Sequence, residues 1–232
     1  MSEKIIPVDL GMVKTFAIVG LRTVLVDTGM PEQQGALWEK LLQAGIRPED
    51  LALVVITHAH LDHFGNARFL QKKTGAKVLV HRLDAQGLRD GRLEFPNSFN
   101  LIGAVFSAFI RFTFFLKSLL RQGEGSNFGV EPDIVIDGEY DLHEYGIAGK
   151  IIHTPGHTPG SVTVLLDSGE AFVGDLVGTF LKPGKPTIPL WGNNLRELRR
   201  SIRKLMGARP TWIHASHVAR FSLQDLENAF GS

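Results

Sequence analysis

The chain has 232 residues, and its 25 Lys and Arg against 24 Asp and Glu leave a formal net charge of +1. A balance this near zero gives no bulk field for gripping nucleic acid or an anionic lipid surface. A composition of 44% hydrophobic and 21% charged residues excludes disordered, collagen-like and coiled-coil chains. The absence of cysteine excludes disulfides, thiolate metal sites and a cysteine nucleophile, so any metal here must be held by histidine and carboxylate.

The N-terminal MSEKIIPVDL carries too short an apolar run for a signal peptide, which points to the cytoplasm. Residues 4–9, 15–19 and 22–27 are short β-branched segments bounded by glycine and read as strands. Residues 32–45 place Ala36, Leu37, Leu41 and Leu42 at helical spacing, with Gly45 as the stop. Residues 51–56 form a continuous apolar run, the mark of a strand buried on both faces. A helix at about 64–74 and a strand at 77–81 follow. The second half reads as strands near 133–136, 149–153, 161–166 and 170–174, a helix at 194–206, a strand at 211–215 and a helix at 222–230. Ser222 is placed to cap the last helix. Strands mixed with helices in both halves predict sheets covered by helices in one domain.

The stretch 99–120 stands apart, because the 20 residues from Leu101 to Leu120 are long enough to span a bilayer. On a helical wheel Asn100, Ser107, Arg111 and Ser118 share one narrow sector, while Val105, Phe109, Phe112, Leu116 and Leu119 lie roughly opposite. The pattern is an amphipathic helix with an oversized apolar face.

The run that carries chemistry is Thr57-His58-Ala59-His60-Leu61-Asp62-His63, directly after the buried strand. A single helix cannot aim all four candidate ligands at one point, because positions i and i+2 are about 200° apart. A strand end can: His58 and His60 share a face through the two-residue period, and a turn then brings Asp62 and His63 round. Imidazole and carboxylate without sulfur suit Zn, Fe, Mn, Co or Ni.

This run resembles the His-x-His-x-Asp-His signature of the metallo-β-lactamase superfamily. Val26-Asp27-Thr28-Gly29, Thr154 to Ser161 (TPGHTPGS), Phe172-Val173-Gly174-Asp175 and His214-Ala215-Ser216-His217 are similar to its other motifs, in the family's order. The last departs from the usual Gly-His pair, which leaves His214 as the competitor of His217. The resemblance implies an α/β fold, a four-layer αβ/βα sandwich of two mixed β-sheets flanked by helices. Residues 1–232 would form a single domain carrying an apolar helical insertion at about 99–120. Carried over by motif, His58, His60 and His157 would hold one metal, and Asp62, His63 and His217 a second, with Asp175 bridging. The cofactors implied are two divalent transition-metal ions, zinc first, with Fe, Mn, Co and Ni open. Asp62 would also be catalytic, orienting the hydroxide and passing a proton to the leaving group.

Asp27 reads either as a turn residue or as a partner of the ligand loop. His153 precedes the Pro-Gly turn and is placed to orient a ligand from behind. His81 and His143 read as ordinary hydrogen-bonded or exposed residues. The cluster Arg196, Arg199, Arg200, Arg203 and Lys204 reads as a solvated helix face.

A transmembrane span at 101–120 would separate His58–His63 from His157–His217, so a shared metal centre excludes it. Core helix, lid over the cleft, dimer contact and peripheral membrane surface stay open, with a lid or dimer contact lining an apolar pocket favoured. The aspartate at 175, where zinc β-lactamases commonly carry Cys or Ser, resembles the glyoxalase II, lactonase and RNA-processing branches. Glyoxalase II members add a helical domain for which the 15 residues after His217 leave no room, and this favours lactonase or general esterase. The expectation is a dinuclear hydrolase that cleaves an ester, lactone or thioester with an apolar portion through a metal-bridging hydroxide. A mononuclear iron sulfur dioxygenase and a phosphodiesterase are the alternatives. The partner expected is a small molecule, not nucleic acid.

Overall fold

The computed structural model describes residues 3–91, 97–109, 128–179, 184–217 and 220–231. The first half builds a sheet from β1 (Lys4–Asp9), β2 (Lys14–Val19), β3 (Thr23–Val26), β4 (Leu51–Val55), β5 (Lys77–His81) and β6 (Ile134–Ile136), in that spatial order. The pairs β1–β2 and β2–β3 are antiparallel, while β3 to β6 are parallel. The second sheet is built from β7 (Tyr140–Asp141), β8 (Gly149–His153), β9 (Val162–Leu166), β10 (Glu170–Phe172), β11 (Trp212–His214) and β12 (Phe221–Ser222). Its spatial order reverses the sequence order, β12-β11-β10-β9-β8-β7, and only β10–β11 is a parallel pair.

Strand periodicity assigns the faces. Phe16, Val24, Leu53 and Leu79 of the first sheet meet Ile151, Val164 and Phe172 of the second in an apolar layer between the sheets. The alternate residues Ala17, Leu25, Val54 and Val78 face outward. They pack under α1 (Gln34–Gln43), α3 (Ala67–Thr74) and α4 (Ala85–Asp90) through Leu37, Leu41, Leu70 and Leu88. On the far side Ala171 and Ile213 lie under α6 (Leu195–Gly207) and α7 (Leu223–Phe230), which contribute Leu198, Ile202, Leu205 and Leu226. Three apolar layers separate four structural layers, helix, sheet, sheet, helix, as a four-layer αβ/βα sandwich requires. Ser222 caps α7, accepting from Asp225 N at 3.2 Å while the Asp225 carboxylate accepts from Ser222 N at 2.8 Å.

Three of the departures from the expected bounds have a clear local reason. The helix expected over 64–74 is broken into α2 (Leu61–Phe64) and α3. Between them, a Cβ on Gly65 would lie 2.3 Å from Pro31 N, and the Asn66 amide turns away to donate to Thr28 O and Met30 O. The strand expected to 27 ends at Val26, because Asp27 adopts a left-handed backbone (φ 61°) that swings its carboxylate inward. The strand expected to 174 ends at Phe172, and Gly174 (φ 54°) turns beside Thr57, where a Cβ would sit 2.6 Å from the hydroxyl. The short elements α4, β7 and β12 were not expected.

The topology brings chemistry to one edge. β3 and β4 are parallel, and β8, β10 and β11 run in a common direction within the other sheet. Asp27 and Thr57–His63 follow β3 and β4, while His157, Asp175 and His217 follow β8, β10 and β11. Among the described residues, no helix is long and apolar enough to cross a membrane.

Candidate metal centre

The seven side chains singled out by motif come together. His58, His60 and His157 form one trio, Asp62, His63 and His217 a second, and His58, His63 and Asp175 a third between them. Within each trio the ligand atoms lie inside 4.8 Å of one another. His60 Nδ1 is 3.0 Å from His157 Nε2. His217 Nε2 lies 3.2 Å from Asp62 Oδ2 and 3.3 Å from Asp175 Oδ2. Asp175 reaches both sides: Oδ1 is 3.5 Å from His63 Nε2, and Oδ2 is 3.5 Å from His157 Nε2.

In four of the five imidazoles a bond to the outer nitrogen fixes which nitrogen faces inward. His63 Nδ1 is 2.8 Å from Asp27 Oδ2, and Asp27 also accepts from Thr57 N and Thr57 Oγ1, each at 2.8 Å. Because the Thr57 hydroxyl donates to Asp27, its oxygen accepts from His58 Nδ1 at 3.1 Å. His157 Nδ1 donates to the Trp191 carbonyl at 3.0 Å, and His217 Nδ1 to the Met12 carbonyl at 2.8 Å. These four imidazoles therefore present Nε2 to the interior, and His60 presents Nδ1. Such outer bonds orient metal-binding histidines and raise their basicity.

The donor set fits divalent metal. Among the described residues, His58 Nε2 is buried with no hydrogen-bond partner, and His63 Nε2 has only the long contacts to Asp175 at 3.5 Å and Asp62 at 3.7 Å, neither a good hydrogen bond. Leaving buried polar atoms unpaired costs about 1–3 kcal/mol each, a cost that a bound ion removes. The electrostatics divide the cluster in two. Burial pushes His58 well below its ordinary range, His60 down to about 3, and His157 down as well, so these three imidazoles are neutral lone-pair donors. Burial disfavours charge on His63 too, but Asp27, Asp175 and Asp62 outweigh it and raise the imidazole to about 10. His217 is likewise desolvated and is raised to about 12 by Asp175 and Asp62. Burial alone would raise the Asp62 and Asp175 carboxyls; His63 and His217 hold both below the usual carboxylate range. The metal-free second trio thus neutralises itself with imidazole protons, which a divalent ion would replace.

The other histidines lie elsewhere. His214 points between the sheets, stacks on Phe172 (ring centroids 4.9 Å apart) and pairs with Glu170 at 2.5 Å. His143 pairs with Asp141 on the surface. His81 is buried and stacks on His153 at 4.0 Å. The expectation that His153 orients a ligand is corrected: its Nε2 donates to the Pro159 carbonyl at 2.8 Å, so it holds the backbone of the loop and touches no ligand. Thr57 and the carbonyls of Met12 and Trp191 are contributors that sequence reading missed. Two of them are backbone atoms with no side-chain signature.

Of the stretch 99–120, residues 99–109 are described and 101–109 form helix α5, while Arg111, Phe112, Leu116, Ser118 and Leu119 lie outside the described residues. The core reading is corrected for α5. Val105 and Phe109 are 64% and 63% exposed, and the polar side faces the protein instead. Trp191 Nε1 donates to Gly103 O at 3.1 Å and to Ser107 Oγ at 2.8 Å. Helix α5 is thereby tied to the residue whose carbonyl holds His157.

Residues 8–217 match the sequence profile of the metallo-beta-lactamase superfamily. The chain belongs to that superfamily. Within it, the chain is 25% identical over 191 residues to a protein of Methanocaldococcus jannaschii described as a probable metallo-hydrolase, covering 82% of this chain and 78% of that one. A stretch of 43 residues is 58% identical to metallo-beta-lactamase domain-containing protein 1 of Mus musculus, but it spans only 18% of this chain and 16% of the mouse protein. The crystal structure of a metallo-beta-lactamase family protein from Thermus thermophilus superposes with a TM-score of 0.67 at 22% identity. It covers 98% of this chain and 77% of that one, which establishes a shared metallo-β-lactamase fold.

Proposed function

We propose that this protein is a dinuclear metal-dependent hydrolase acting on an ester, lactone or thioester with an apolar portion. The observation that carries the reading is the preset donor set: two three-residue groups joined by Asp175, with two buried imidazole nitrogens lacking good partners. A relative described as a probable metallo-hydrolase supports the hydrolytic class. His58, His60 and His157 would hold one ion, Asp62, His63 and His217 the other, and Asp175 both. When bound, such ions, with zinc the first choice, supply hydroxide at neutral pH and Lewis acidity toward an acyl oxygen.

The chain's own residues do the remaining work. Asp62 is the more exposed of the two central carboxylates, 28% against 15% for Asp175. It is the group placed to orient the attacking oxygen and to hand a proton to the leaving oxygen or sulfur. Trp191 ties the polar side of α5 to the loop that holds His157, and the exposed apolar side of α5 would receive the acyl portion beyond that loop.

The test is a panel of acyl-lactones, acyl thioesters and phosphodiesters with chain length varied, combined with metal analysis. The reading expects about two ions per chain and kcat/KM rising with acyl length, roughly fourfold per CH₂ buried at about 0.8 kcal/mol each. A single iron per chain with oxygen consumption would overturn it in favour of a sulfur dioxygenase. Turnover confined to phosphodiesters would move it to that branch.

A further inference from the structure

Asp84 begins helix α4 at the position where an aspartate ordinarily caps its own helix, yet its side chain makes no capping bond. The carboxylate is buried and turned away, toward two loops distant in sequence. Oδ2 accepts from Ala59 N at 2.9 Å and from Thr158 Oγ1 at 2.7 Å, and Oδ1 accepts from Gly160 N at 2.7 Å. Gly160 leaves room for it, since a Cβ there would sit 2.4 Å from Oδ1. Ala59 stands between His58 and His60, and Thr158 follows His157. Every member of the first trio therefore has a chain neighbour bonded to this one carboxylate.

Asp27 serves the second trio by a different route. It touches the His63 imidazole itself, and it accepts from the hydroxyl of Ser216, next to His217, at 3.4 Å. Asp27 therefore acts on the charge of a candidate ligand, whereas Asp84 bonds two backbone amides and the Thr158 hydroxyl and so acts on where the two loops lie.

We propose that Asp84 is the positioning residue of the His58–His60–His157 trio, setting the spacing between the ligand loop after β4 and the loop after β8. The proposal rests on the metal-site reading above. Loss of groups that orient a ligand from behind typically costs 10–100-fold in metal affinity. In Asp84→Asn one of the three donors must face an amide N–H, so the two loops separate.

The test is zinc release from the loaded full-length chain against increasing chelator. The two ions are told apart by the imidazole ¹⁵N shifts of His157 and His217. The expected result is that Asp84→Asn releases the His157-bound ion at roughly 10–100-fold lower chelator while the other ion stays at its wild-type position, and that Asp27→Asn shows the converse. Equal weakening of both ions, or no shift beyond a lower melting temperature, would overturn the proposal. Should Asp84→Asn fail to fold, Thr158→Val removes one donor with shape retained. It is expected to shift the same step severalfold, and an unchanged step would overturn the proposal. If the wild-type chain retains no metal, the metal-site reading fails instead. The metal-free chain then still decides on Asp84, since the variant should lose the His60–His157 imidazole hydrogen bond from its ¹⁵N spectrum while Asp27→Asn keeps it.

Discussion

Replacing Asp27 by asparagine removes the charge beside a fully buried imidazole without changing side-chain size. In the native chain Asp27 Oδ2 lies 2.8 Å from His63 Nδ1, and both side chains are at most 1% exposed. An amide oxygen can still accept from Thr57 N, but its NH₂ then faces the Thr57 hydroxyl and the His63 N–H, which are both donors. Removing one partner of a buried charge pair costs about 3–5 kcal/mol. The cost depends on pH in a definite sense. The folded, metal-free chain holds His63 at about 10 against an ordinary 6.5, so between those values the folded state binds more protons than the unfolded one. That contribution is fully present below about pH 6.5 and is lost as pH rises through about 10. Urea unfolding of chelator-treated protein, run from about pH 6.5 to 10, should therefore show a gap of about 3–5 kcal/mol between wild type and Asp27→Asn at the acid end, closing toward the alkaline end. A gap that is constant across this range would refute the assignment of the His63 charge to Asp27.

Metal uptake by the second trio at neutral pH should release about two protons, from His63 and His217, while uptake by the His58–His60–His157 trio releases essentially none. Calorimetry in buffers of differing ionisation enthalpy measures both numbers. His217→Ala should empty one of two metal sites, whereas His214→Ala should leave occupancy intact and cost about 1–3 kcal/mol of stability by stranding Glu170. Metal analysis with thermal unfolding separates the two outcomes. Trp191→Phe keeps the carbonyl that holds His157 but deletes the indole N–H that anchors α5. It should flatten the dependence of kcat/KM on acyl length while metal content stays constant.

The candidate ligands were legible because their signal is local. Four candidate ligand side chains stand within residues 58–63 at the end of a strand that announces itself by a continuous apolar run. The supporting atoms were not legible, because a backbone carbonyl such as that of Met12 or Trp191 becomes a partner only through tertiary placement. Asp84 was hidden differently, since at the start of a helix an aspartate looks like a cap. The wheel over 99–120 separated the polar and apolar sides but could not say which side the protein would choose. Trp191 decided it: a partly buried indole N–H needs an acceptor, and Ser107 Oγ supplies one at 2.8 Å, turning the apolar side outward.

The helix breaks and strand ends that departed from expectation have a common cause in the site. Continuing α2 into α3 would carry Asn66 away from Thr28 and Met30, whose carbonyls fix the turn that presents Asp27. Extending β3 through residue 27 would send the aspartate side chain along the strand's alternation and away from His63 and Thr57. At Gly174 any side chain would press its Cβ into the Thr57 hydroxyl, which receives His58 Nδ1 and donates to Asp27. Each departure gives up a residue or two of regular hydrogen bonding, and each leaves a ligand, or the group that orients it, aimed at the same small volume. The regular elements set the edge at which the motifs meet. The irregular residues at their ends set the angles at which the side chains arrive.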